Sequence, residues 1–365
     1  MIHLSRRALL GSACPLIAAG VGLYACGDDS AANTDETAVL KDIAEIVARP
    51  TYATLKAASD DFEIAAEALV ADANDSTLGA AQAKWKATMV AWNQSRTFTF
   101  GPVENDGDNI RWHLGADPDS IEEEITAGGP FDIPKLGTNR KGLPALEYLL
   151  FDPDGGNAAI LEKFSASADR VAFVGALAAD LSAEIDGVVS AWDSYANELA
   201  TAGEGSDVYK SPKDAMDELF NQMIYVADLS IAQIKDPLLG SKGTAGLSPE
   251  LEEARLSDNT LPDSFAQIAA LTSVYEGSYG EGSGLGVTAL VRDRSPELDD
   301  QVRAAIADAK GALEAIPAPL REALQGDASV LQNAIDKLRE VKRLLNSDVA
   351  TAIGAMVTFS DMDGD

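Results

Sequence analysis

Cysteine and histidine are nearly missing from this chain: it holds two of each among 365 residues. Cys14 lies inside an apolar leader and Cys26 at its end, so a chain that loses the leader cannot close a disulfide on itself. With Cys26 acylated, no thiol remains for catalysis or metal binding. His113 is then the single histidine, and there is no His-Glu-x-x-His run. A zinc hydrolase typically needs three protein ligands and an open position. A lone histidine beside a tryptophan reads more simply as a structural hydrogen-bonder. A serine triad would have His113 as its only base, and no serine sits in a Gly-x-Ser-x-Gly elbow. Basic residues are also scarce. Lysine and arginine number 28 against 59 acids, a net charge of −31. Nucleic acid and anionic lipid surfaces are poor partners for such a body, and cations or a basic protein are better ones. Most of the acids read as solvated helix faces.

Long apolar runs are absent beyond the N-terminus, so no further segment is expected to cross a bilayer. The N-terminal run from Ala8 to Ala25 follows Ser5-Arg6-Arg7, which looks like a twin-arginine export motif. It ends in Leu23-Tyr24-Ala25-Cys26, which resembles the lipidation site of bacterial lipoproteins. The alternative, an uncleaved membrane anchor, fits poorly with Pro15, several glycines and small residues before a cysteine. Residues 1–25 are therefore read as a signal peptide, Cys26 as the lipidated residue, and 26–37 as a polar tether. Losing the leader removes two arginines and no acids, which leaves a balance of about −33.

Alternating strand patterns are nearly absent too, and helical spacing dominates. Leu78, Ala81, Trp85, Met89 and Trp92 mark one buried stripe. Val171 through Tyr195 make a longer one, and Met216 through Ile234 a third. Ser295-Pro296-Glu297 is a helix start, followed by Leu298, Val302, Ile306, Ala309 and Leu313. A last stripe runs from Leu331 through Ile353 to Met356. The class is all-α, and the stripes read as bundle core rather than as a cofactor box. The stretch Thr201–Asp207 has the composition of a boundary, dividing an N-terminal bundle, 38–203, from a C-terminal one, 204–365. Three segments read as irregular: Thr99 to Asp117, Gly128 to Lys141 and Asp236 to Pro262. The glycines at 277, 280, 282, 284 and 286 form a loose loop that lacks both a preceding strand and a Gly-Lys-Ser/Thr close, so phosphate binding is not expected there.

The most informative segment is Gly142-Leu143-Pro144-Ala145-Leu146-Glu147-Tyr148-Leu149-Leu150-Phe151. Pro144 suits the first turn of a helix. On that helix the neighbours of Glu147 are Leu143, Pro144, Leu150 and Phe151, all apolar. Glu147 is therefore expected to be buried or to face a cleft, with a partner or a raised pKa. Arg140 and Lys141, which lead into the helix, and Arg96, four residues beyond Trp92, are the cations expected to pair with it. A purely structural ion pair is the competing reading.

Gly142-x-Pro144-x-x-Glu147 and the residues after it resemble the signature of the imelysin family, whose motif reads Gly-x-His-x-x-Glu. Phe98-Thr99-Phe100-Gly101-Pro102-Val103 and Val357 to Asp365 resemble that family as well. The resemblance implies a bacterial envelope protein, often iron-regulated and once described as a peptidase. It also implies two helical bundles side by side, with the functional region where they meet. Here Pro144 replaces the family histidine, so a His–Glu metal pair is broken. Asp361-x-Asp363-Gly364-Asp365 resembles the start of a calcium loop, but no bidentate glutamate follows. A metal ion is left open, and no organic cofactor is expected. The reading that follows is a periplasm-facing lipoprotein that binds a ligand, metal complex or envelope partner between its bundles, in an iron-acquisition setting implied by the family. A metal-dependent hydrolase and an acidic envelope scaffold are the alternatives. The site residues expected are Gly142, Pro144, Glu147, Arg140, Lys141, Arg96, His113, Asp361 and Asp363.

Overall fold

The structure, a computed structural model, describes residues 34–111, 115–240 and 246–358. The expected signal peptide, Cys26, His113, Asp361 and Asp363 lie outside the described residues. Helices account for nearly all of the regular structure. The one sheet among the described residues is a hairpin pairing Ser278–Tyr279 with Gly282–Ser283, and the glycine-rich loop is its setting.

One bundle is built on helices Arg49–Ala71, Asp75–Gln94 and Ala168–Ala200, which pack on one another. The other is built on Pro212–Leu239, Thr260–Glu276, Pro296–Glu314 and Ala328–Arg343. Each expected stripe supplies core. Trp85, Met89 and Trp92 are buried on helix Asp75–Gln94, and Leu177, Leu181, Ile185 and Trp192 on helix Ala168–Ala200. The helix ends follow ordinary capping chemistry. Asn74 and Ser211 form capping boxes, and Ser295 accepts from Leu298 N with Pro296 in the first turn. The stretch at 201–207 is an ordered turn in which Glu198 accepts from Ser206 Oγ and the Asp207 amide.

Several expected loops contain structure. Val103–Ile110 is helical within the first irregular segment, and helix Pro212–Leu239 runs through Pro237. Conversely, the last stripe stops early: the final helix ends at Ile353 before Gly354 in the left-handed region, leaving Met356 exposed.

The segment Phe98 to Val103 is a packing device. Tyr52, Phe98 and Phe100 gather on Trp192 with ring centroids 5.1–5.5 Å apart. Gly101 has φ +58°, and a Cβ there would meet the Tyr195 ring at 2.4 Å. Only glycine lets the chain turn this close to the ring.

The bundles meet through helices Asp75–Gln94 and Thr260–Glu276. Their seam is partly polar. Gln267 donates to Asn93 Oδ1 at 2.9 Å and accepts from Ser230 at 3.1 Å, while Ser264 donates to Gln233 at 2.6 Å. All five side chains are buried, so each bond replaces a lost contact with water, and of the three it is the Gln267–Asn93 bond that crosses between the bundles.

A candidate functional site at the bundle junction

Helix Gly142–Leu150 carries Glu147 to this seam. Its start is set by Gly142, at φ +71°, where a Cβ would meet the carbonyl oxygens of Ile110 and Asn109 at 2.4 and 2.6 Å. The helix therefore lies directly against the end of helix Val103–Ile110, an approach closed to every residue but glycine. Trp85 Nε1 donates to the Leu143 carbonyl at 3.0 Å and fixes the same turn to helix Asp75–Gln94.

Glu147 is 7 % exposed. Burial raises its pKa, and hydrogen bonds from Ser257 and the charge of Arg111 offset part of that rise. Its Oε1 accepts from both the amide and the hydroxyl of Ser257, at 2.9 and 2.7 Å. The three cations expected to hold it do not. Arg140 pairs with Glu124, Lys141 with Glu184 at 3.3 Å and Asp180 at 3.8 Å, and Arg96 touches Tyr225. The reason is geometric. Residues 140 and 141 precede the first turn and turn back over helices Pro118–Ala127 and Ala168–Ala200. Arg96 sits past the end of its helix, in a short 3-10 turn. The charge that acts on Glu147 comes from Arg111 instead.

Ser257 is held in place by its neighbour. Asp258 has φ +57°, a conformation rare for a non-glycine residue. Arg321 grips its carboxylate with two nitrogens, at 2.7 and 3.2 Å. This ion pair, with its one hydrogen bond from Nη2 to Oδ2, secures the loop whose Ser257 reaches Glu147.

Around Glu147 is a chamber of about 390 Å³, lined among others by Trp85, Met89, Arg111, Pro144, Tyr148 and Glu253. Arg111 and Glu253 form an ion pair in its wall. Near it lies Asp263, fully buried, which accepts from Asn259 at 2.8 Å through one oxygen and, among the described residues, has no partner on the other. Burial pushes its carboxyl well above the usual range, and Arg111 opposes that rise. Glu252 is likewise raised by burial while accepting from Thr260.

These residues do not make a metal site. Pro144 offers no donor atom, Oε1 of Glu147 is taken by two hydrogen bonds, and the positive charge of Arg111 opposes a second cation. Among the described residues, no three His, Cys, Asp or Glu side chains are grouped to hold a metal ion.

Arg111, Ser257, Glu253 and Asp263 were not evident from sequence periodicity. A signal existed for Arg111, the lone lysine or arginine between Arg96 and Lys135. Nothing in the sequence marks Ser257.

The chain resembles known proteins along most of its length. It is 27 % identical over 342 residues to the iron-regulated protein A of Synechococcus elongatus, covering 89 % of this chain and 88 % of that one. Among solved structures, it is similar to a putative iron-regulated protein A precursor from Parabacteroides distasonis, with a TM-score of 0.77 at 20 % identity. An imelysin-like protein from Psychrobacter arcticum gives 0.70 at 19 %. Each comparison covers 89 % of this chain and 97 % of the other, and each speaks to the fold. The imelysin model itself matches residues 48–345, spanning both bundles, the seam and the Glu147 chamber, and the chain belongs to the imelysin family.

Proposed function

We propose that this chain is a non-catalytic binding protein of the cell envelope that holds its ligand in the Glu147 chamber. One observation carries the reading. Glu147 is desolvated, held by the neutral donors of Ser257, and set in the wall of a cavity where two bundles meet. Such a carboxylate costs folding free energy, and a site that keeps one is a candidate for recognition. The chamber volume falls in the range of small-molecule sites. The iron-regulated names of the relatives support a role in iron acquisition. The twin-arginine and lipidation motifs support a periplasm-facing lipoprotein anchored through acylated Cys26.

Pro144 weighs against the hydrolase reading, because it removes the motif's nitrogen ligand. The acidic scaffold reading leaves the chamber unexplained.

Native mass spectrometry of protein isolated without chelators from iron-starved cells tests the proposal. The expected result is a bound mass in the wild type that Glu147→Gln lacks. No bound mass in the wild type, or chelator-sensitive peptide hydrolysis by it, overturns the reading.

A further inference from the structure

A second cavity of about 450 Å³ lies on the other side of the Arg111–Glu253 pair, since both residues line it too. Its other walls include Trp92, Arg96, Thr99, Gln222 and Tyr225. Arg96 differs from the other inward-facing arginines. Arg111 and Arg170 are buried and each holds a carboxylate, Glu253 and Glu122 respectively. Among the described residues, Arg96 has no carboxylate within ion-pair distance. Among those residues its side chain makes one hydrogen bond, a long one of 3.4 Å from Nη2 to the Tyr225 hydroxyl, and finds no partner for its buried Nε. The rings of Trp92 and Tyr225 lie 5.7 and 5.9 Å from the guanidinium and compensate part of the charge. Burial makes the cation costly, and Arg111 nearby adds to that cost.

Of the carboxylates around this cavity, Glu253 offsets part of the cost of the Arg96 charge without coming within ion-pair distance of it. Glu253 is engaged on one oxygen by Arg111 and on the other by Gln233. Glu104 and Asp108 are exposed at the mouth, where water screens them. A desolvated guanidinium facing a cavity, with most of its donors unused, fits a planar or tetrahedral oxyanion. Thr99 and Gln222 add neutral polar groups beside it.

We infer that this cavity is an anion site, in which the carboxylate or phosphate of a small molecule docks on Arg96 between Trp92 and Tyr225. The inference goes beyond the Glu147 chamber and stands whether or not that chamber is filled.

Isothermal titration of the mature chain, at fixed ionic strength in chloride, tests it with inorganic phosphate and succinate as probes. Saturable one-to-one binding of at least one probe is expected. Phosphate alone would identify a phosphate-bearing ligand, and succinate alone a carboxylate-bearing one. Arg96→Met should weaken binding at least tenfold and abolish the probe's upward shift in melting temperature. Without probe, this variant should melt no lower than the wild type, because it removes a half-buried cation that has no ion-pair partner among the described residues. Arg96→Lys should also lose affinity, since an ammonium cannot reproduce the fork, and it decides the matter if Arg96→Met does not fold. Glu147→Gln should bind the probe within twofold of the wild type, which separates this site from the first chamber. Failure of both probes to saturate the wild type overturns the inference, as does unchanged affinity in the Arg96 variants.

Discussion

Ser257 holds Glu147 with two donors, its amide and its hydroxyl, across 110 residues of sequence. The partner of the buried carboxylate is thus neutral. Glu147→Ala strands two donors rather than a cation and should cost about 1–3 kcal/mol, the range for unsatisfied buried polar groups. Glu147→Gln keeps an acceptor oxygen and removes the desolvated charge, so its stability at neutral pH should equal or exceed that of the wild type. The pH dependence follows from the direction of the pKa. Because the folded value is raised, the stability linked to Glu147 is fully present below the unfolded value. It is lost as pH rises through the folded one. Urea melts from pH 4 to 8 should show this decline in the wild type and less of it in Glu147→Gln. A steep loss of stability in Glu147→Gln at neutral pH would mean that the charge is paired after all.

Gly142→Ala should be more damaging than its size suggests. It forces a β-carbon into two backbone carbonyls at a positive φ. A cost of roughly 2–4 kcal/mol is expected from strain and displaced packing. The helix bearing Glu147 must then shift, so binding in the chamber should fall as well. Gly156→Ala is the control, since that glycine has φ +63° but nothing within 4 Å of the added carbon. Equal melts for the two variants would remove the role given to the close approach.

Asp263 is a stronger case of a desolvated acid, fully buried with one oxygen unpartnered. Its folded pKa is raised, so its contribution likewise disappears as pH climbs through that value. Asp263→Asn keeps the acceptor for Asn259 and should stabilise the protein by about 1–3 kcal/mol near pH 8. The gain should shrink towards pH 4. Destabilisation at every pH would show that Asp263 is ionised and bound to Arg111.

Membrane attachment can be checked separately from the fold. The wild-type membrane fraction should contain a chain beginning at acylated Cys26, and Cys26→Ser should release soluble protein or accumulate precursor. Intact mass reads both. A mature wild-type chain that retains residues 1–25 would contradict lipidation.

Much of the fold was legible because helical stripes are local. Spacing of three and four residues places Trp85 and Trp92 on one face without reference to the rest of the chain. The burial of Glu147 was legible for the same reason, from its four apolar helical neighbours. Its partner was not, because no local pattern links residue 147 to residue 257. Side-chain reach misled the choice of cations: Arg140 and Lys141 adjoin the helix in sequence but turn away to Glu124, Glu184 and Asp180. A similar inversion occurs on helix Pro296–Glu314, where Leu298 is half-buried and Asp299 fully buried. Tyr275, Thr288, Arg292 and Arg303 satisfy that carboxylate from other turns and elements, and the bonds from Thr288, Tyr275 and Arg303 hold its pKa low against its burial.

The latch from Ser257 to Glu147 also sets when recognition can begin. One half of the grip comes from early in the chain and the other from a loop that Arg321 pins still later. Non-local pairings of this kind form after local helices. An emerging or truncated chain that stops before residue 257 would own the acid and a wall of the chamber without the clasp. On the proposed binding role, ligand retention would then be withheld until the chain has been made through Arg321.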